Sequence, residues 1–373
     1  MSHLPAVNSQ NTLRSSIPLI TSSNILKFST NTLLTRKAFF VTSFVVGALA
    51  LYLLHRWSKN QQPLSGSPSF KPITTNPRDE VDFEKRIKAE YEELSTAHPM
   101  NPPSFTNGFA KEALKPENDQ HNAYEAVVPY ETNRVKLPFY FNASGMYKTF
   151  IGKPFQIIAS QGPLQNQHTR FWHMALETQA PVIVTLSLPK DKSTYWPTEL
   201  DQTLTFEENG LDPVTVMLTE EETTDSNITL RKFRVKKGTE SPRTVTQLQI
   251  LDWPDHTRNL AGVASGGVIP KERLVRAIEL LNDHLSTLKD GCVITHCVAG
   301  VGRTGTFLTA LEALARIKYS LTPPYKDLIK DIAIEGRSKQ NGRTGLIQTA
   351  DQYLLVYDAV MTLCPEMKAL LKD

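Results

Sequence analysis

One cysteine, Cys297, stands six positions before Arg303 in HCVAGVGRTGT, His296 to Thr306. Between them lie Val298, Ala299, Gly300, Val301 and Gly302, all small or apolar. A run of this kind lets successive backbone N–H groups turn inward and form a concave nest for an anion. Arg303 adds a planar fork that holds two oxygens of a phosphate at once. GCVIT before the loop reads as a buried strand, and a helix starting near Thr304 follows it, so the first helical turn adds positive potential to the same cup. Such a field favours thiolate over thiol and lowers a cysteine from ~8.5 to about 3.5–7.5. The spacing therefore describes a cup that binds a phosphate monoester and ionises the sulfur that attacks it. C-x5-R alone is a weak pattern. His296 ahead of it, Gly300, Gly302 and Gly305 around it, and the strand–loop–helix setting make it specific.

The elements that must position this loop alternate strands with helices. PVIVTLSL (Pro181–Leu188) reads as a buried strand, and VTVML, NITLRKFRV and TVTQLQILDW read as strands of a more polar sheet. KERLVRAIELLNDHLSTLKDG puts Leu274, Ile278, Leu281, Leu285 and Leu288 on one stripe, with Gly291 as its stop. TGTFLTALEALARIKY is a second helix, and a last helix covers about Thr349–Leu363. Phe83, Ile87, Tyr91 and Leu94 fall at helical spacing, so an amphipathic helix opens the folded part. The fold class is α/β, a twisted mixed β-sheet flanked by helices, with no internal repeat.

Composition separates this folded part from a different leader. The chain has 373 residues, 40% hydrophobic and 21% charged, which is ordinary for a globular protein. Three cysteines are too few for a disulfide framework and suit a reducing compartment. No Asp or Glu precedes Asp79, while residues 1–78 carry eight Lys or Arg, so the remainder is net negative. No basic stripe interleaved with aromatics points to nucleic acid. Residues 1–37 form a basic Ser/Thr-rich tail. Residues 38–54, AFFVTSFVVGALALYLL, are a candidate transmembrane helix with only Thr42 and Ser43 clearly polar. At ~1.5 Å per residue the run spans roughly 26 Å, against about 30 Å of bilayer core. Arg36 and Lys37 before it, and His55, Arg56, Trp57 and Lys59 after it, are interfacial types that make up the shortfall. A buried core helix and an organelle transit peptide are the alternatives; a cleaved signal peptide fits less well behind a 37-residue leader. Residues 55–78 form a Pro/Ser-rich linker and residues 79–373 the catalytic domain.

HCVAGVGRTGT resembles the phosphate loop of the protein tyrosine phosphatases, the tyrosine-specific, cysteine-based type. The likeness continues in order through HNAYEAVVPYETNRVKL from His121, FNAS at Phe141–Ser144, ASQGPLQNQHTRFWHM at Ala159–Met174, TYWP at Thr194–Pro197, WPDH at Trp253–His256 and GLIQTADQY at Gly345–Tyr353. It covers roughly Asp79 to the C-terminus. It implies a phosphatase-like catalytic domain that hydrolyses phosphotyrosine in proteins through a cysteinyl-phosphate, without metal or cofactor. On that pattern Cys297 is the nucleophile, and Arg303 with the amides of Val298 to Gly302 binds the phosphate. Asp255 is general acid and then base on a mobile loop. Gln348 and Gln352 orient water, Thr304 hydrogen-bonds the departing thiolate, His296 orders the loop, and Tyr124 walls a pocket deep enough for a phosphophenyl ring.

Each of these residues also has a plainer role open to it. Asp255 is a turn aspartate, Gln348 and Gln352 are exposed polar residues at a helix start, Thr304 is a helix N-cap and Tyr124 is a core residue. Zinc at His296, Cys292 and Cys297 lacks a fourth ligand. The chain departs from the family at three places beside Tyr124: Ala123 replaces an Arg, Glu125 a basic residue, and Ala126 the aspartate that pins a peptide backbone. Val298 replaces a frequent Ser. Glu199 or Asp201 is expected as a carboxylate partner for Arg303, and Arg337 lines the pocket rim or a solvated face. The remaining functional alternatives are a phosphotyrosine-binding pseudophosphatase module and a phosphoinositide phosphatase. For location the expectation is a single-pass membrane anchor with the catalytic domain in a reducing compartment; the alternatives are a secreted effector delivered to a host cell and an organelle-targeted enzyme.

Overall fold

Val, Ile and Leu are concentrated in four short runs, and these runs become the parallel centre of the sheet. A computed structural model describes residues 77–99, 109–150, 154–187, 194–224, 226–259, 264–319 and 323–372. The tail 1–37, the candidate membrane segment 38–54 and the linker up to residue 76 lie outside the described residues. The strands are β1 (Ala143–Phe150), β2 (Pro154–Ser160), β3 (Val182–Thr185), β4 (Thr203–Phe206), β5 (Val214–Thr223), β6 (Ile228–Lys237), β7 (Arg243–Ile250), β8 (His256–Arg258), β9 (Ala264–Gly266) and β10 (Gly291–His296). The main sheet runs β1-β2-β10-β3-β7-β6-β5-β4, and β8 pairs with β9 apart from it. Strand β10 is parallel to both β2 and β3, and β3 is parallel to β7. The outer pairs are antiparallel, so the sheet is mixed.

Alternation along the central strands supplies both faces of the sheet. Val293 of β10, Ile157 of β2 and Val184 of β3 enter one apolar cluster; Ile294, Ile158 and Ile183 enter the other. The first cluster is covered by helices α1 (Pro77–Ala97), α3 (Lys271–Thr287), α4 (Gly302–Tyr319), α5 (Leu328–Arg337), α6 (Ala350–Leu363) and α7 (Pro365–Lys372). The second is covered by α2 (His168–Glu177), whose Phe171, Trp172, Met174 and Ala175 are fully enclosed. The helices together with the sheet form one compact unit over Thr75–Asp373. Among the described residues no helix is long and apolar enough to cross a membrane.

Several boundaries differ from those read in the sequence, each for a local reason. Helix α1 begins at Pro77, inside the expected linker, because proline at a first helical position costs no hydrogen bond. Helix α3 stops at Thr287, four residues before Gly291. Gly291 instead opens β10 at φ +147, where a Cβ would lie 2.9 Å from Pro181 Cδ. Thr349 caps α6 by accepting the Gln352 amide. The chain then continues past Leu363 into α7, a helix that apolar spacing around Pro365 had not suggested.

Trp172 sits in the middle of the α2-side core, between Phe171, Tyr195 and Phe233, and its indole N–H donates to the Tyr195 carbonyl at 2.7 Å. Trp172→Ala is expected to lower the unfolding free energy by about 3–5 kcal/mol, measured as a shift of the urea midpoint; a midpoint unchanged from the parent would contradict this packing.

Candidate active site

Strand β10 ends at His296, and the chain turns at once into the loop Cys297–Val301 and then α4. The carboxyl end of a central parallel strand is where open α/β sheets place ligands. Gly300 makes the turn possible, with φ +75 and a position where a Cβ would lie 2.1 Å from the Ser160 carbonyl oxygen. The Gly305 amide already donates to the Val301 carbonyl at 2.8 Å. The helix therefore starts at Gly302, and Thr304 lies within its first turn instead of capping it.

Cys297 and Arg303 are both buried, 4% and 5% exposed, so each is strongly influenced by its neighbours. Burial by itself raises the Cys297 thiol. The Arg303 charge, hydrogen bonds from Thr304 and the Gly300 amide outweigh it and hold the thiol below its ordinary value. The Gly300 N–H reaches Cys297 Sγ at 3.3 Å. The buried Thr304 hydroxyl meets no hydrogen-bond partner besides the Cys297 sulfur, so its hydrogen is available to a thiolate. Cys292, at the other end of β10, meets no cation, and burial pushes it up to about 12. Five strand residues put roughly 16 Å between the two cysteines, too far to share a zinc ion. Among the described residues there is no group of three or more His, Cys, Asp or Glu placed to hold a metal.

Arg303 reaches sideways to the loop of WPDH. Its Nη1 donates to the Trp253 carbonyl at 3.0 Å, and Nη2 lies 3.3 Å from Asp255 Oδ2. Trp253 is buried and anchored by its indole N–H on the Gly267 carbonyl at 2.7 Å, whereas the Asp255 side chain is half exposed. Asp255 Oδ1 accepts the His256 amide at 3.0 Å. Glu199 and Asp201, expected beside Arg303, are both exposed; the carboxylate that meets the guanidinium is Asp255.

Gln348 and Gln352 close the third side. A Cβ on Gly302 would lie 2.3 Å from Gln348 Oε1, so the glutamine amide rests directly on the phosphate loop. Gln352 is buried and accepts the Gln348 amide at 2.9 Å, which removes the exposed role left open to it. His296 is buried and meets the Tyr195 hydroxyl at 2.6 Å and the Thr185 hydroxyl at 3.1 Å through Nε2, while Nδ1 lies 3.0 Å from the Cys297 carbonyl. Burial holds its imidazole at about 4, neutral at physiological pH.

Tyr124 is 41% exposed and so is not a core residue. Its segment is tied to the site: the Ala123 amide donates to Gln161 Oε1 at 2.9 Å, and the next residue, Gly162, donates to the Val298 carbonyl at 3.0 Å. Glu125 is exposed and Ala126 half-buried beside it. Arg337 lines neither rim nor solvent. It is buried and donates to the carbonyls of Leu346 and Ile347, both at 2.8 Å. The sequence pattern did not reveal Arg343, which is fully buried with Nη2 2.5 Å from Asn142 Oδ1 and 3.1 Å from the Ala299 carbonyl. Asn142 lies 201 residues and Ala299 44 residues away in sequence, so no local spacing could disclose it.

Iodoacetate should alkylate Cys297 with a pH midpoint below the ~8.5 of a free thiol, and orthophosphate should protect it. A midpoint at the free-thiol value without protection would remove the electrostatic account of the cup.

The family model of protein-tyrosine phosphatases matches residues 118–362. Protein-tyrosine-phosphatase PTP1 of Arabidopsis thaliana is 30% identical over 261 residues, 67% of this chain and 72% of that protein. Tyrosine-protein phosphatase non-receptor type 20 of Mus musculus is 30% identical over 263 residues, 68% of this chain and 56% of that one. Receptor-type tyrosine-protein phosphatase zeta of Homo sapiens is 31% identical over 265 residues, 66% of this chain but 10% of the receptor. The matched segment thus spans most of the plant protein, about half of the mouse protein and a small part of the receptor. With a buried cysteine cupped by glycines, a neighbouring arginine and a family match over 118–362, this chain belongs to the protein-tyrosine phosphatases, the cysteine-based kind.

Proposed function

We propose that this chain hydrolyses phosphotyrosine in proteins in two steps at Cys297. The observation that carries the reading is the convergence on one cup of a lowered thiol, a buried guanidinium and an exposed carboxylate bound to that guanidinium. The Cys297 thiolate attacks phosphorus, and the bond to the phenolic oxygen breaks. Arg303 and the amides of Val298 to Gly302 hold the three equatorial oxygens as charge spreads over them. Asp255, on a loop exposed enough to swing, delivers a proton to the departing phenolate. Water, positioned by the carboxamides of Gln348 and Gln352, then attacks the cysteinyl-phosphate; Asp255 takes its proton and the sulfur leaves as thiolate, with the Thr304 hydroxyl turned toward it. Tyr124 flanks the ring and sets a depth that a phosphoserine side chain does not span.

A pseudophosphatase module would lack one of Cys297, Asp255 or Gln348, and all three stand here. A phosphoinositide phosphatase would call for basic residues in the loop, where Val298, Ala299 and Val301 are apolar. Cys297→Ser should abolish turnover of p-nitrophenyl phosphate and phosphotyrosyl peptides. Asp255→Ala should slow it by about 10²–10⁴-fold while leaving substrate bound. Faster turnover of phosphoserine or phosphoinositide substrates by the parent would refute the tyrosine assignment.

The apolar run 38–54 supports a single-pass membrane anchor, with the catalytic domain on the reducing side, where Cys297 stays a free thiol. The full chain should remain in the membrane pellet through alkaline carbonate extraction, and a chain lacking residues 38–54 should be released; extraction of the full chain would exclude the anchor.

A further inference from the structure

Helix α1 (Pro77–Ala97) precedes the segment 118–362 that matches the family, yet it bonds to the backbone beside the candidate water-positioning glutamines. The Tyr91 hydroxyl donates to the Ile347 carbonyl at 3.1 Å, one residue before Gln348. Arg337 joins the same partners. Its Nη2 donates to the Ile347 carbonyl, its Nη1 reaches the Leu94 and His98 carbonyls at the end of α1 at 3.3 and 3.2 Å, and its guanidinium lies 5.5 Å from the Tyr91 ring centre. One residue earlier on α1, Glu90 Oε1 accepts the hydroxyls of Tyr353 and Tyr357 at 2.6 and 2.7 Å. Both tyrosines belong to α6, whose first turn carries Gln352.

Ile347 is where these contacts matter. Its φ of +64 is a conformation that a β-branched residue holds only when its surroundings impose it. Its amide donates to the Val301 carbonyl of the phosphate loop at 3.0 Å. Its carbonyl is held by Tyr91 and Arg337. The residue that launches the glutamine segment is therefore clamped by the phosphate loop on one side and by α1 on the other.

We propose that α1 is a positioning element for the second half-reaction, with Tyr91 and Glu90 holding Ile347 and α6 so that Gln348 and Gln352 aim water at the cysteinyl-phosphate. This rests on the phosphatase reading above. In that step the water oxygen bonds to phosphorus, the P–S bond breaks with its electron pair passing to sulfur, and the water proton goes to the Asp255 carboxylate. The first step, attack by Cys297 and loss of the phenol, uses neither glutamine. Loosening α1 should therefore slow hydrolysis and spare phosphorylation of the enzyme.

The test is stopped-flow release of p-nitrophenol from p-nitrophenyl phosphate by the full chain in mild detergent. Tyr91→Phe keeps the ring and removes the hydroxyl; Glu90→Gln keeps the shape and removes the charge. Each variant should show an initial burst with the parent rate constant, followed by a steady state reduced by about fivefold for Tyr91→Phe, the effect of one net hydrogen bond. An equal fall in burst and steady-state rates, or a steady state unchanged in both variants, overturns the proposal. A parent chain that releases no p-nitrophenol overturns the phosphatase reading itself, and this proposal with it.

Discussion

A buried sulfur that must carry negative charge is the constraint around which this molecule is arranged. Desolvation opposes a thiolate, and at Cys292 and Cys364, where no cation stands by, it prevails and the thiols are raised. Cys297 is buried as deeply, on the same strand end as His296, yet its balance is reversed by Arg303, Thr304 and the Gly300 amide. The reversal depends on backbone atoms coming close to the sulfur. That approach is possible because position 300 is glycine; a side chain there would collide with the Ser160 backbone on the neighbouring strand.

The surrounding loops are held by the same few groups. Arg303 fixes the Trp253 carbonyl and meets Asp255, so the guanidinium beside Cys297 also holds the WPDH loop. Gly302 leaves room for Gln348, and Val301 accepts the Ile347 amide, so the glutamine segment is registered on the phosphate loop. Arg343 fastens the Ala299 carbonyl to Asn142 behind β1. His296, kept neutral, links β10 to Tyr195 and Thr185 from below. The donors of the cup are thus held in place by bonds that do not involve a ligand.

Hydrogen bonds to the glutamine segment extend beyond the loop motifs into an amphipathic helix that opens the domain. Apolar spacing in α1 is sufficient to explain its burial through Ile87 and Leu94. It does not explain why Glu90 and Tyr91, two of the polar residues between them, point at α6 and Ile347. Polar groups half enclosed at an interface need partners, and here the partners are the elements that carry Gln348 and Gln352.

The amino-acid sequence alone determined the phosphate cup, because Cys297, Arg303 and the glycines between them are neighbours whose backbone geometry is local. It determined equally the α/β alternation, since buried parallel strands and amphipathic helices have distinct periods. Strands β1, β2, β4, β8 and β9 and helices α2, α5 and α7 were not read as elements in the sequence, their short or mixed patterns being consistent with several states. Tertiary structure decided which carboxylate meets Arg303, Asp255 in place of Glu199 or Asp201, and that Arg337 and Arg343 are buried struts. These outcomes join residues separated by long stretches of chain. A charge in the interior takes whichever partner the packed sheet and helices bring within hydrogen-bonding distance, and spacing along the chain carries no record of that choice.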